Sequence, residues 1–197
     1  WYAGDPRRAV EPVRAVIALL EGAPLDERFG LAGLPAVIAR WFLAVVLAEL
    51  GEFAEALAAG EEALRIAQGA TGRPKVLKFA GAYHGQHPVG VTSMLAGQTT
   101  VLPASDPSGA GAAWVLRDVL TAPFNDLAAT EKIISDHATD LAAVIVEPLH
   151  RCITPVAGFL AGLRAVTERH GIVLIFDEVV TGFRLALVQA TATGVPS

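Results

Sequence analysis

The sequence predicts an α/β domain with a mainly parallel sheet and flanking helices, preceded by an α-helical segment, and three observations carry that prediction. Residues 1–68 follow helical spacing throughout. From Thr71 the character changes to strand, helix, strand, helix, strand, the alternation of an α/β fold with right-handed crossovers. Finally, Ile172–Phe176 is a run of apolar, largely β-branched residues after Gly171. It is too short for a typical helix and reads as a strand buried on both faces, as in a parallel sheet. The expected division is therefore a helical segment over 1–68 and an α/β region over 69–197.

Composition narrows the function classes. At 197 residues, 53% hydrophobic and with a formal charge of -5, the chain has ample core and a mildly acidic surface. Arginine and lysine are scattered without a basic stripe or interleaved aromatics, so no nucleic-acid partner is expected. A single cysteine, Cys152, excludes an intrachain disulfide and fits a reducing compartment; with no secretory signal visible, the expected location is cytoplasmic. The most membrane-like stretch, Leu34–Leu50, holds Arg40 and Glu49, and reads as a buried soluble helix, not a membrane anchor. The first residue is Trp1, not Met, which suggests an excerpt of a longer chain.

Taken in order, Pro6 suits a first helical turn, and Ala9, Val10, Val13, Val16, Ile17 and Leu20 follow at helical spacing. Gly22–Gly33 is a loop. A second helix is expected over Ala36–Leu50, stopping at Gly51, and a third over Phe53–Ala67. The first and third share a frame: Gly4-Asp5-Pro6 before Ala9-Val10 matches Gly51-Glu52-Phe53 before Ala56-Leu57, with Val16 where Ala63 lies. On these residues the segment resembles tetratricopeptide repeats, which implies either a protein-docking groove for a partner or a plain helical scaffold.

Beyond Pro74, Lys75–Ala80 reads as a strand running into Gly81-Ala82-Tyr83-His84-Gly85. Residues 86–113 are a long loop without helical period, and Val115–Ala122 offers another strand. Asn125 is a good N-cap for a helix over 126–137. Ala142–Val146 is a buried strand ending on Glu147, and Gly158–His170 a helix closed by Gly171. His137 and His170 close helices, where a cation suits the dipole.

Asp177 and Glu178 follow the last strand, at the carboxyl edge where open α/β sheets place their ligand sites. A carboxylate there also serves as a turn cap or a solvated group. An apolar strand ending in acids is also how nucleotide hydrolases present a magnesium ligand, but no Gly-Lys-Ser or Gly-Lys-Thr occurs, so that class is excluded. No G-x-S-x-G elbow supports a serine hydrolase. His84 and His87, with His150 and Cys152, lack zinc-like spacing, and no metal site is expected. Cys152 reads as inert.

Three pieces then lie in one order: TGRPKVLKFAGAYHG at Thr71–Gly85, DLAAVIVEPLHRC at Asp140–Cys152, and GFLAGLRAVTERHGIVLIFDEVVTGFR at Gly158–Arg184. Together, over roughly residues 65–190, they resemble the large domain of class-III, fold-type-I aminotransferases that use pyridoxal 5'-phosphate, the glutamate-1-semialdehyde aminomutase-like branch above all. The resemblance implies amino-group transfer through a Schiff base between a small-molecule donor and acceptor, in a homodimer. It implies that Asp177 keeps the cofactor's ring nitrogen protonated through a charge-assisted hydrogen bond. It further implies that Tyr83 stacks on one ring face and Val179 presses on the other, that His84 supports the site, and that Glu147 stands behind them.

The chain also departs from the family pattern. Its only lysines, Lys75, Lys78 and Lys132, lie upstream of the Asp-Glu-Val strand, whereas the family's Schiff-base lysine lies downstream of it. The family's phosphate-binding turn is replaced by Ala56-Leu57-Ala58-Ala59, inside the third helix. The two halves therefore meet within that helix, a junction that a rearranged gene, a decayed gene or an assembly error would each produce. The reading is a fragment of a pyridoxal-phosphate-dependent enzyme, inactive alone. Its alternative is a helical-repeat interaction module, residues 1–68, with a vestigial α/β tail.

Overall fold

Residues 6–24, 26–27, 34–85, 88–91, 117–178 and 180–181 are described by a computed structural model, in which the chain divides into two units, Trp1–Gly72 and Arg73–Ser197. The first unit holds three helices, α1 (Arg7–Leu20), α2 (Pro35–Glu49) and α3 (Phe53–Thr71). Pro35 opens α2, where its missing N–H costs nothing. Gly72, at φ 67°, closes α3 in the left-handed conformation that a Cβ disfavours. Ala9, Val10 and Val13 of α1 pack with Leu43, Ala44, Val46 and Leu47 of α2 and with Ala56 and Ala59 of α3. Among the described residues, no helix is long and apolar enough to cross a membrane.

The tetratricopeptide resemblance does not survive here. Its frame equates Val16 with Ala63, yet Val16 is 46% exposed whereas Ala63 is fully buried. The helices also differ in length, 14 residues in α1 against 19 in α3. A repeat needs equivalent positions to meet equivalent neighbours, and these do not.

The second unit carries β1 (Lys75–Phe79), the one-turn α4 (Pro88–Val91), β2 (Val119–Ala122), α5 (Leu127–Asp136), β3 (Leu141–Val146), α6 (Phe159–Arg169) and β4 (Val173–Phe176). The four strands form one parallel sheet in the order β2-β1-β3-β4. Leu77 and Phe79 of β1, Leu120 and Ala122 of β2, and Val144 and Val146 of β3 join Ile133, Ile134, Phe159, Leu163 and Val166 of the helices in one core. Within it Phe79, Phe124 and Phe159 meet edge to face, at centroid distances of 5.8, 5.6 and 5.1 Å. Such pairs contribute about 1 kcal/mol beyond their burial.

Two expectations are corrected. The strand buried on both faces is β3, all six of whose residues are buried; in β4 only Ile175 is, because among the described strands β4 has a neighbour on one side alone. The cap of α5 is Asp126, whose Oδ1 accepts from Ala129 N–H at 2.9 Å, and not Asn125. Asn125 instead adopts φ 67° and bridges two loops, donating to the Thr154 carbonyl and accepting from Val156 N–H. The expected loop over 86–113 falls outside the described residues except for α4.

Candidate active site

Strand β1 lies between β2 and β3, so the chain leaves it for one side of the sheet and later returns to the other. That change of direction opens a crevice at the carboxyl ends of β1 and β3, the place where an open α/β sheet takes a ligand. The segments that follow β1, β3 and β4 run from this edge, and each brings one singled-out side chain: His84, Glu147 and Asp177.

Asp177 extends the ladder one residue past β4, its N–H donating to Val146 O at 2.7 Å. This fixes the backbone from which its carboxylate projects. The side chain is buried, and His84 Nδ1 donates to its Oδ2 at 2.8 Å. The bond reaches from the loop after β1 to the end of β4, with β3 between them. Gly81 at φ 82° and Gly85 at φ 101° let the His84 loop turn sharply, where a side chain would be strained. Tyr83, next to the buried His84, is 39% exposed and so able to offer its ring to a ligand.

Glu147 is the middle group. Burial raises its pKa, but the contact with His150, the charges of His84 and His150 and the Tyr83 N–H outweigh that and hold it below its ordinary value. His150 Nδ1 lies 3.3 Å from Glu147 Oε2, while its Nε2 donates to Ala80 O at 3.0 Å and its ring stacks on Phe124. The turn beyond it holds Arg151 at φ 47° and Cys152 at φ 66°, a costly geometry for residues with a Cβ. Its result is to aim Arg151 at the Gly81 carbonyl, 2.8 Å away. The β1 loop is thus held from the β3 side at Ala80 and Gly81.

Lys78 is a residue the sequence reasoning missed. Its side chain is fully buried, and its Nζ donates to Ala82 O at 3.0 Å and Gly90 O at 2.6 Å. Burial lowers its pKa to about 7, and the Glu147 charge opposes that shift. The signal was present in the strand KVLKF, since a lysine inside a buried strand is rare unless paired. The supporting roles of His150, Arg151 and Gly90 had no comparable signal, because each depends on which loop folds against which.

Of the residues expected at the site, the structure brings His84 and Asp177 into direct contact, with Tyr83 beside them. Val179 lies outside the described residues, as does His87. Thr181 is buried, with its hydroxyl 3.4 Å from Glu178 Oε2. Potential ligand atoms of His84, Glu147 and Asp177 come within 4.8 Å of one another, a spacing that could accept a cation. Asp177 accepts from His84, and Glu147 Oε2 lies 3.3 Å from His150 Nδ1 without a hydrogen bond.

The donor set fits one end of pyridoxal phosphate. A buried, oriented carboxylate suits a protonated ring nitrogen, and a half-exposed phenol ring suits the face of an aromatic heterocycle. The position of the family's phosphate-binding turn falls, by sequence, in the first unit, described by itself. Ala56 N–H is spent inside α3 on Glu52 O at 3.0 Å, and the helix opens with Glu52 as cap and Glu55 in its first turn. That helix start is negative, the opposite of an anion site.

Comparison with known proteins shows the family. The profile of the class-III aminotransferases matches residues 53–190. Glutamate-1-semialdehyde 2,1-aminomutase of Dichelobacter nodosus is 46% identical over 131 residues, which cover 65% of this chain and 30% of that protein. Among solved structures, an omega-transaminase from Sphaerobacter thermophilus is 35% identical at a TM-score of 0.60, covering 68% of this chain and 32% of its own. A transaminase with PLP bound is 27% identical at a TM-score of 0.62, covering 94% of this chain and 44% of its own. The chain thus spans under half the length of these proteins. The family match begins at Phe53, so α3 in its entirety lies inside the aminotransferase region.

Proposed function

Because the chain belongs to the class-III aminotransferases and is glutamate-1-semialdehyde aminomutase-like, we propose that it carries the ring-binding part of a pyridoxal phosphate pocket. The observation that carries this reading is the buried His84–Asp177 hydrogen bond at the carboxyl edge of the sheet. When bound, the cofactor supplies an electron sink at its protonated ring. Asp177 holds the proton on the ring nitrogen, because a carboxylate fixed in a buried site stabilises the charged pyridinium more than water does. His84 donates to one carboxylate oxygen and so sets the plane in which Asp177 meets the ring. Tyr83 covers one face and excludes water.

The substrates on this reading are small-molecule amino donors and acceptors, handled in a homodimer in the cytoplasm. No lysine follows Asp177 in these 197 residues, and α3 offers no phosphate cradle. The 197-residue chain on its own therefore binds the cofactor without a covalent link and sustains no amino transfer. The expected result of titrating it with pyridoxal phosphate is a saturable change in visible absorption that disappears in Asp177→Ala. An unchanged spectrum in both proteins, or the same change in both, overturns the assignment.

A further inference from the structure

We infer that Lys78 is the positioning residue of this pocket: its buried ammonium clasps the two ends of the segment from Ala82 to Gly90 and thereby sets His84 against Asp177. The inference rests on the cofactor-pocket reading. Lys78 Nζ donates to the carbonyls of Ala82 and Gly90, which bracket Tyr83 and His84 in sequence. The Gly90 carbonyl accepts a second time, from His84 N–H at 3.4 Å. One oxygen therefore joins the lysine to the backbone of the residue that orients Asp177.

Packing supports the same connection. A Cβ at Gly90 would overlap the Gly85 carbonyl oxygen and crowd the carbonyl of His84, so α4 presses directly on the His84–Gly85 backbone. Glu147, whose charge attracts Lys78, is itself held below its ordinary pKa in part by the neighbouring Tyr83 N–H. Both carbonyls that the ammonium meets thus belong to the segment that presents Tyr83 and His84. A leucine or methionine at 78 would fill the same space in β1 without the cost of burying a charge. What neither can do is donate to two carbonyls at once.

The test compares Lys78→Met, Gly90→Ala and, as a control, Val76→Ala, a substitution at another buried site of β1. Folding is checked by circular dichroism. Two readouts follow: the dissociation constant for pyridoxal phosphate, and the low-field proton resonance of the His84 Nδ1–H bonded to Asp177, recorded without cofactor and assigned by its loss in His84→Gln. Expected are a tenfold or greater loss of affinity and loss of the resonance in Lys78→Met and Gly90→Ala, with both retained in Val76→Ala. A folded Lys78→Met that keeps the resonance and the affinity overturns the inference. Should Lys78→Met fail to fold, Lys78→Leu takes its place, and unchanged readouts there overturn the inference. Failure of the cofactor-pocket reading looks different: Asp177→Ala then binds as the parent chain does, while the resonance still reports on Lys78.

Discussion

At the scale of single residues, the buried lysine has a consequence for stability. Lys78 ordinarily titrates at 10.5 and in the folded chain at about 7. Between those values the unfolded chain holds a proton that the folded chain has released, so stability rises with pH across that window, by up to about 1.4 kcal/mol per pH unit. Below about pH 7 the burial penalty is present in full. Urea titrations from pH 7 to 10 should show this rise, and Lys78→Met should flatten it. An equal slope in both proteins would place the titration elsewhere. The residue scale is also where sequence reading reached least evenly. Asp177, Tyr83 and His84 stand out because they sit in motifs whose order along the chain is itself informative. The clasp of Lys78 on Gly90 does not, because nothing in the spacing of residues 78 and 90 says that the chain folds back between them.

At the scale of elements, hydrophobic period placed each strand and longer helix among the described residues to within about four residues, and local chemistry decided the ends. Asn125 and Asp126 are equally good caps in sequence; only the positive φ of Asn125 gives the role to Asp126. Asp126→Ala should therefore lower stability by about 1 kcal/mol in denaturant titration, through loss of the bond to Ala129 N–H. Phe159→Ala should cost roughly 3–5 kcal/mol, since it removes the ring that both Phe79 and Phe124 meet edge-on. A smaller loss for Phe159 than for Asp126 would contradict this account of the core. The helical segment was the least legible element. Its frame looked repetitive because small and apolar residues recur in any packed helix, and only burial separates Val16 from Ala63.

At the scale of the whole chain, the family match over residues 53–190 joins what sequence reading had divided, since it takes in α3 together with the α/β region. The structural unit Trp1–Gly72 nevertheless packs its own core from α1, α2 and α3. Family membership and packing thus answer different questions: the first concerns descent, the second which apolar faces find each other. The purified 197-residue chain is expected to give no turnover with pyridoxal phosphate and an amine donor, and steady product formation would contradict that expectation. The central claim is narrower, that the Asp177 carboxylate keeps a bound pyridine ring protonated. Its direct measurement is the nitrogen-15 resonance of ring-labelled pyridoxal phosphate bound to the chain above pH 8. A shift in the pyridinium range that moves to the neutral-pyridine range in Asp177→Asn is the predicted result; a neutral ring in the parent chain would contradict the claim.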